Sequence, residues 1–94
     1  MSKVHLDASR WSVPRDSYDD LLPAVGAPDR HGRNLDALWD GLTGDLWAVK
    51  PPITVEVANS GGSALMRSGF LREVAALFAE ARDEEGLACA LTLR

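Results

Sequence analysis

The chain has 94 residues, of which 46 % are hydrophobic and 26 % charged, and it carries a formal net charge of -4. That length supports one modest core and not two, so a single domain over residues 1–94 is expected. An acidic surface argues against direct nucleic-acid binding and for a cationic partner, and no apolar run is long enough to cross a bilayer.

The single Cys89 excludes an intrachain disulfide and a Cys-x-x-Cys metal site, and its apolar neighbours point to burial. The N-terminal residues lack both the apolar core and the small-residue cleavage site of a secretory signal, so a cytoplasmic location is expected. Val4 and Leu6 alternate with Lys3 and His5, which predicts a short strand ending near Asp7 with His5 on its surface.

Tyr18, Leu21, Leu22 and Val25 form a helical stripe within residues 12–25, capped by Ser12 or Asp16 and kinked or ended near Leu22 by Pro23. Asp16, Asp19 and Asp20 fall in its first turns, where the helix dipole favours negative charge. The loop that follows carries Arg30, His31 and Arg33. Arg30 and Arg33 are expected to pair with Asp29 or Asp36, each pair adding at most about 1 kcal/mol if exposed.

The next helix is fully punctuated. Asn34 can cap its first turn, Leu35, Leu38 and Leu42 recur at helical spacing, and Gly44 is expected to close it in the left-handed conformation. The opposite face carries Asp36, Asp40 and Thr43 in line, with Trp39 beside them. Two carboxylates four residues apart repel by about 0.2–0.5 kcal/mol, and only Asp36 lies near the N-terminal dipole. Such a face is either an ordinary solvated surface or a binding patch; tryptophan among desolvated charge is the composition of an interface.

The run Asn34-Leu35-Asp36-Ala37-Leu38-Trp39-Asp40, followed by Gly41-Leu42-Thr43-Gly44, resembles the inhibitory helix of the barstar family, intracellular inhibitors of an extracellular bacterial ribonuclease. The resemblance covers nearly the whole chain, with strands and helices in the same order. It implies that Asp40 enters the catalytic cleft as a mimic of a substrate phosphate, with Asp36, Trp39, Thr43, Gly44 and Glu80 around it. Glu80 matches a late-helix acid that contacts the ribonuclease. The chain departs from the family in the preceding loop, where Arg30 and His31 stand in place of two tyrosines and Arg33 replaces an acid. It departs again after Gly44, where the connection is longer and Asp45 replaces an aromatic. Trp47 either supplies that aromatic contact from a displaced position or packs in the core.

Further on, Ile53, Val55 and Val57 alternate with Thr54 and Glu56 as a strand. Gly61-Gly62 lacks a following Lys-Ser or Lys-Thr and is no phosphate loop. Residues 64–67 predict a helical turn broken by Ser68-Gly69. Residues 70–85 predict the longest helix, with Leu71, Val74, Leu77, Phe78 and Ala81 inward, Glu73, Glu80 and Glu84 outward, and Gly86 as its stop. Residues 87–93 form an apolar run that reads as a strand covered on both sides.

Alternating strands and helices predict an α/β fold, a small three-stranded parallel sheet with helices packed against it. The function expected is a protein inhibitor of a small secreted bacterial ribonuclease, forming a one-to-one complex that protects the producing cell, with Asp36, Asp40, Trp39, Thr43, Gly44, Glu80, Asn34, Arg30 and His31 as partner-binding residues. The alternatives are an immunity protein against another toxin nuclease, a non-inhibitory interaction domain, and a small hydrolase using Asp36 and Asp40. The last is disfavoured because catalytic carboxylate pairs flank a pocket in unequal environments. No metal or cofactor is expected.

Overall fold

The computed structural model describes residues 2–28, 30–44 and 46–94. In chain order the elements are β1 (Ser2–Asp7), α1 (Pro14–Ala24), α2 (Leu35–Thr43), β2 (Ile53–Ala58), a 3-10 turn (Ser60–Gly62), α3 (Ala64–Arg67), α4 (Phe70–Glu85) and β3 (Cys89–Leu93). The sheet is parallel throughout in the order β1-β2-β3, so β2 is central. The expected three-stranded α/β architecture is the one observed.

Period-two alternation decides which face is covered. Ile53, Val55 and Val57 are buried, flanked in register by Val4 and Leu6 on one side and by Cys89, Leu91 and Leu93 on the other. Helix residues Leu21, Leu22, Leu38, Leu42, Leu71, Val74, Phe78 and Ala81 complete this core. The opposite sheet face is polar. There the Glu56 carboxylate receives Lys3 Nζ at 3.3 Å, His5 Nδ1 at 3.2 Å and Arg94 Nη2 at 3.3 Å. Those contacts, led by Lys3, hold its carboxyl below the usual range.

The expectation that residues 87–93 are covered on both sides is therefore corrected. β3 is an edge strand; Cys89 is buried, Ala90, Leu91 and Leu93 are half-buried, and Thr92 is exposed. The run is apolar because one face packs on helices while the other carries small residues.

In α1 one of the two expected caps is the one observed, while the end of the helix differs from expectation. Asp16 is the capping group: its carboxylate accepts the backbone N–H groups of Ser12 at 2.8 Å and Val13 at 3.2 Å, which lowers its pKa. Pro23 does not end the helix near Leu22, because it falls in the last turn and the chain continues to Ala24. Asp20 accepts the Trp11 indole N–H at 2.6 Å, and Asp19 receives Arg33 Nε at 2.9 Å. Arg33 thus pairs with α1 instead of Asp36, and Asp29 lies outside the described residues.

Two structural expectations for the helices hold: α4 spans Phe70–Glu85 and ends at Gly86, and residues 64–67 form the short α3. α2 packs on α4, which brings the acidic helix against the longest one.

Candidate functional site

α2 is fixed from behind and at its start. Asn34 Oδ1 accepts the Ala37 N–H at 2.7 Å, a cap of about 0.5–2 kcal/mol. Leu38 and Leu42 are buried, and each contributes about 1.5–3 kcal/mol by leaving water. Gly44 ends the helix at φ -93°, so the expected left-handed closure is corrected; the helix ends on a right-handed bond from Gly44 N–H to the Asp40 carbonyl at 2.7 Å. Asp36 and Asp40 are left exposed, and Trp39 and Thr43 are half-buried. The Thr43 hydroxyl donates to the Trp39 carbonyl at 2.8 Å.

Behind Asp40, three segments meet. The Trp47 indole N–H donates to His31 Nε2 at 3.2 Å. An indole N–H only donates, so Nε2 must accept and the ring proton sits on Nδ1, which faces the Gly32 carbonyl at 2.9 Å. His31 is 9 % exposed and Trp47 3 %. Their rings tilt at 43°, and Trp47 continues onto Phe78 with centroids 6.3 Å apart. Gly41 of α2 leaves the space for this pair: a Cβ there would overlap His31 Nε2 and Trp47 Nε1. Trp47 is therefore a core residue, which decides between the two roles left open for it. Asp45, the other departure in this connection, lies outside the described residues.

The exposed side of α2 opens onto two depressions. The first, of about 340 Å³, runs between α2 and α4 and is lined by Asp36, Trp39, Glu73 and Glu80 over Leu35, Ala76 and Leu77. It is an apolar floor rimmed by three carboxylates. The second, of about 200 Å³, lies on the loop side of α2 and is lined by Arg30, His31, Gly32, Ala37, Asp40 and Leu46.

The structure thus gathers Asp36, Trp39 and Glu80 in one groove and Asp40, Arg30 and His31 in the other. Asn34, Thr43 and Gly44 line neither; they shape the ends of α2. Sequence reasoning passed over Glu73, although its seven-residue spacing from Glu80 puts both on one face of α4. It also passed over Leu46, one of two large hydrophobic residues exposed among those described, at 53 %. Tyr18 packs on Phe70 of α4; burial, with the charge of Glu73 second, pushes its phenol up to about 12.

Among the described residues no three His, Cys, Asp or Glu side chains could hold a metal ion, and no helix is long and apolar enough to cross a membrane. What the arrangement offers is a ridge with carboxylates on both flanks and an indole between them, a surface suited to cationic side chains with apolar stems.

Comparison with known proteins gives a family and a relative. The family described as Barstar (barnase inhibitor) matches residues 1–94. A protein named "Putative ribonuclease inhibitor YrdF", from Bacillus subtilis (strain 168), is 36 % identical over 84 residues, covering 89 % of this chain and 89 % of the relative.

Proposed function

This chain belongs to the barstar family, and from that premise we propose that it inhibits a small secreted ribonuclease by seating the exposed face of α2 in the enzyme's active-site cleft. One chain covers one enzyme, inside the cell that makes both. The observation that carries this reading is the uncovered acidic ridge. Asp36 and Asp40 project from a helix whose opposite side is buried in the core, and Glu73 and Glu80 extend the negative field along α4.

A ribonuclease cleft is built to hold phosphates and is therefore cationic. Asp40, exposed and without a side-chain hydrogen bond among the described residues, fits the place of a phosphate and accepts charge-assisted hydrogen bonds from the cleft's cations. Asp36 and Glu80 flank a second cation over Trp39. The reading is one of binding: Asp36 and Asp40, the pair that a hydrolase would need on one substrate, line separate depressions.

The test is an inhibition titration against small secreted ribonucleases, barnase among them, with the wild-type chain and Asp40→Ala. The substitution is on the surface, so stability should change by no more than about 0.5 kcal/mol. Leaving the enzyme's cations buried and unpaired should cost about 2–5 kcal/mol, a loss between about thirtyfold and a few thousandfold in affinity. Equal potency of the folded variant would remove Asp40 from the centre of the interface.

A further inference from the structure

The two depressions beside α2 differ in charge, and the difference restricts the partner. The groove between α2 and α4 is rimmed by carboxylates alone. Among the described residues, the depression on the loop side brings together one carboxylate, Asp40, one guanidinium, Arg30, and the exposed Leu46. We infer that Arg30 is a specificity residue, and that the ribonuclease bound here carries a carboxylate beside its phosphate-site cations, set against Arg30 when those cations meet Asp40. This rests on the ribonuclease-inhibitor reading above and names the chemistry of the partner surface.

Arg30 and Asp40 line one depression without bridging each other, and neither side chain has an ion pair among the described residues. The second arginine of the loop behaves differently, since Arg33 is held on Asp19 at 2.9 Å. Among the described residues, then, nothing neutralises either charge at the depression.

The backbone beside Arg30 is anchored. The next residue, His31, bonds Pro28 O through its N–H at 2.9 Å, and its ring is fixed between Trp47 and the space left by Gly41. A cleft carrying only positive charge would meet Arg30 as a like charge in a partly desolvated contact, which interfaces select against. A cleft with an acid at that point satisfies both charges at once. Leu46 then supplies the apolar contact at the same rim, and the complementary pattern on the enzyme reads cation, cation, anion along α2 and its loop.

The experiment measures dissociation constants for the wild type, Arg30→Ala, Arg30→Glu and Asp40→Ala against a panel of small secreted ribonucleases that includes barnase, using the enzyme bound most tightly. Thermal unfolding confirms that each variant is folded. Arg30→Ala should weaken binding at least about tenfold and Arg30→Glu further. Both losses should shrink as salt rises from about 50 to about 500 mM, because the contact lies at a rim that ions reach. If both Arg30 variants bind as well as the wild type or better while Asp40→Ala loses affinity, the inhibitor reading stands and the role of Arg30 is refuted. If Asp40→Ala binds unchanged, or no ribonuclease is bound, the underlying reading fails and the inference falls with it.

Discussion

Gly41→Ala is the substitution for which helix propensity and tertiary packing give opposite answers. In an exposed helix interior, alanine would stabilise by about 1 kcal/mol over glycine. Here the added methyl group would occupy the space in which the Trp47 N–H meets His31 Nε2, and would sit 3.1 Å from Trp47 Cδ1. Displacing one ring costs about 1–3 kcal/mol in overpacking. Breaking the bond leaves a buried indole N–H unpaired for about another 1–3 kcal/mol. Net of the propensity gain, the variant should lose about 1–5 kcal/mol, with each kcal/mol lowering the midpoint by about 4–8 °C in a domain of this size. Urea and thermal unfolding of Gly41→Ala, Trp47→Phe and the double variant would measure it. Phenylalanine removes the indole nitrogen, so the penalty of the methyl group should shrink in that background, giving a coupling of about 0.5–3 kcal/mol. A Gly41→Ala protein as stable as the wild type, or more so, would refute the packing argument.

Two other perturbations test the electrostatics. Asp7, Asp16 and Glu56 all have carboxyls held below their ordinary values, by the Ser9 N–H, by the Ser12 and Val13 N–H groups, and by Lys3 respectively. Groups with depressed native pKa values stabilise fully above the unfolded value and lose that contribution as pH falls through the native one. The unfolding midpoint should therefore be level above about pH 5 and fall below it, with a shallower fall in Asp16→Asn. Glu73→Gln removes one charge from the acidic groove. It should cost the free chain at most about 0.3–1 kcal/mol, because Glu73 lies in the first turn of α4 where the helix dipole favours a carboxylate, slow association with the ribonuclease, and let the Tyr18 phenol ionise at lower pH in a near-ultraviolet titration, while burial keeps it above the ordinary 10.0.

The helices that carry the candidate site were readable because their signals are local. Asn34 announces the start of α2, Gly86 stops α4, and the leucine spacing identifies the buried side of both. What was not readable depends on neighbours. The apolar run at 87–93 has the composition of a strand buried on both faces, but edge or centre is decided by strand order, which no periodicity encodes. Glu73 and Glu80 could be placed on one face of α4, yet only the packing of α2 on α4 turns that face into a groove with Asp36. His31 stands in a loop of glycine, proline and charge, where a histidine reads as exposed; its burial depends on Trp47, sixteen positions later, and on the absence of a side chain at Gly41. Gly44 was misread because a terminal glycine usually marks left-handed closure, whereas this helix ends on an ordinary right-handed turn.

The register of the sheet also bears on when the molecule becomes competent. Ser2 pairs with Ile53 and Ile53 with Cys89, so every strand pairing joins distant parts of the chain. Contacts of this kind form slowly, because loop closure precedes any gain from them. On a ribosome, β1 waits for β2, and β2 gains its second neighbour only once residues 89–93 have emerged. At about 5–20 residues per second, that interval amounts to several seconds per molecule. α2 has its cap and its acidic residues from the moment it is made, but α4, on which it packs, is made later, and the strand that backs α4 later still.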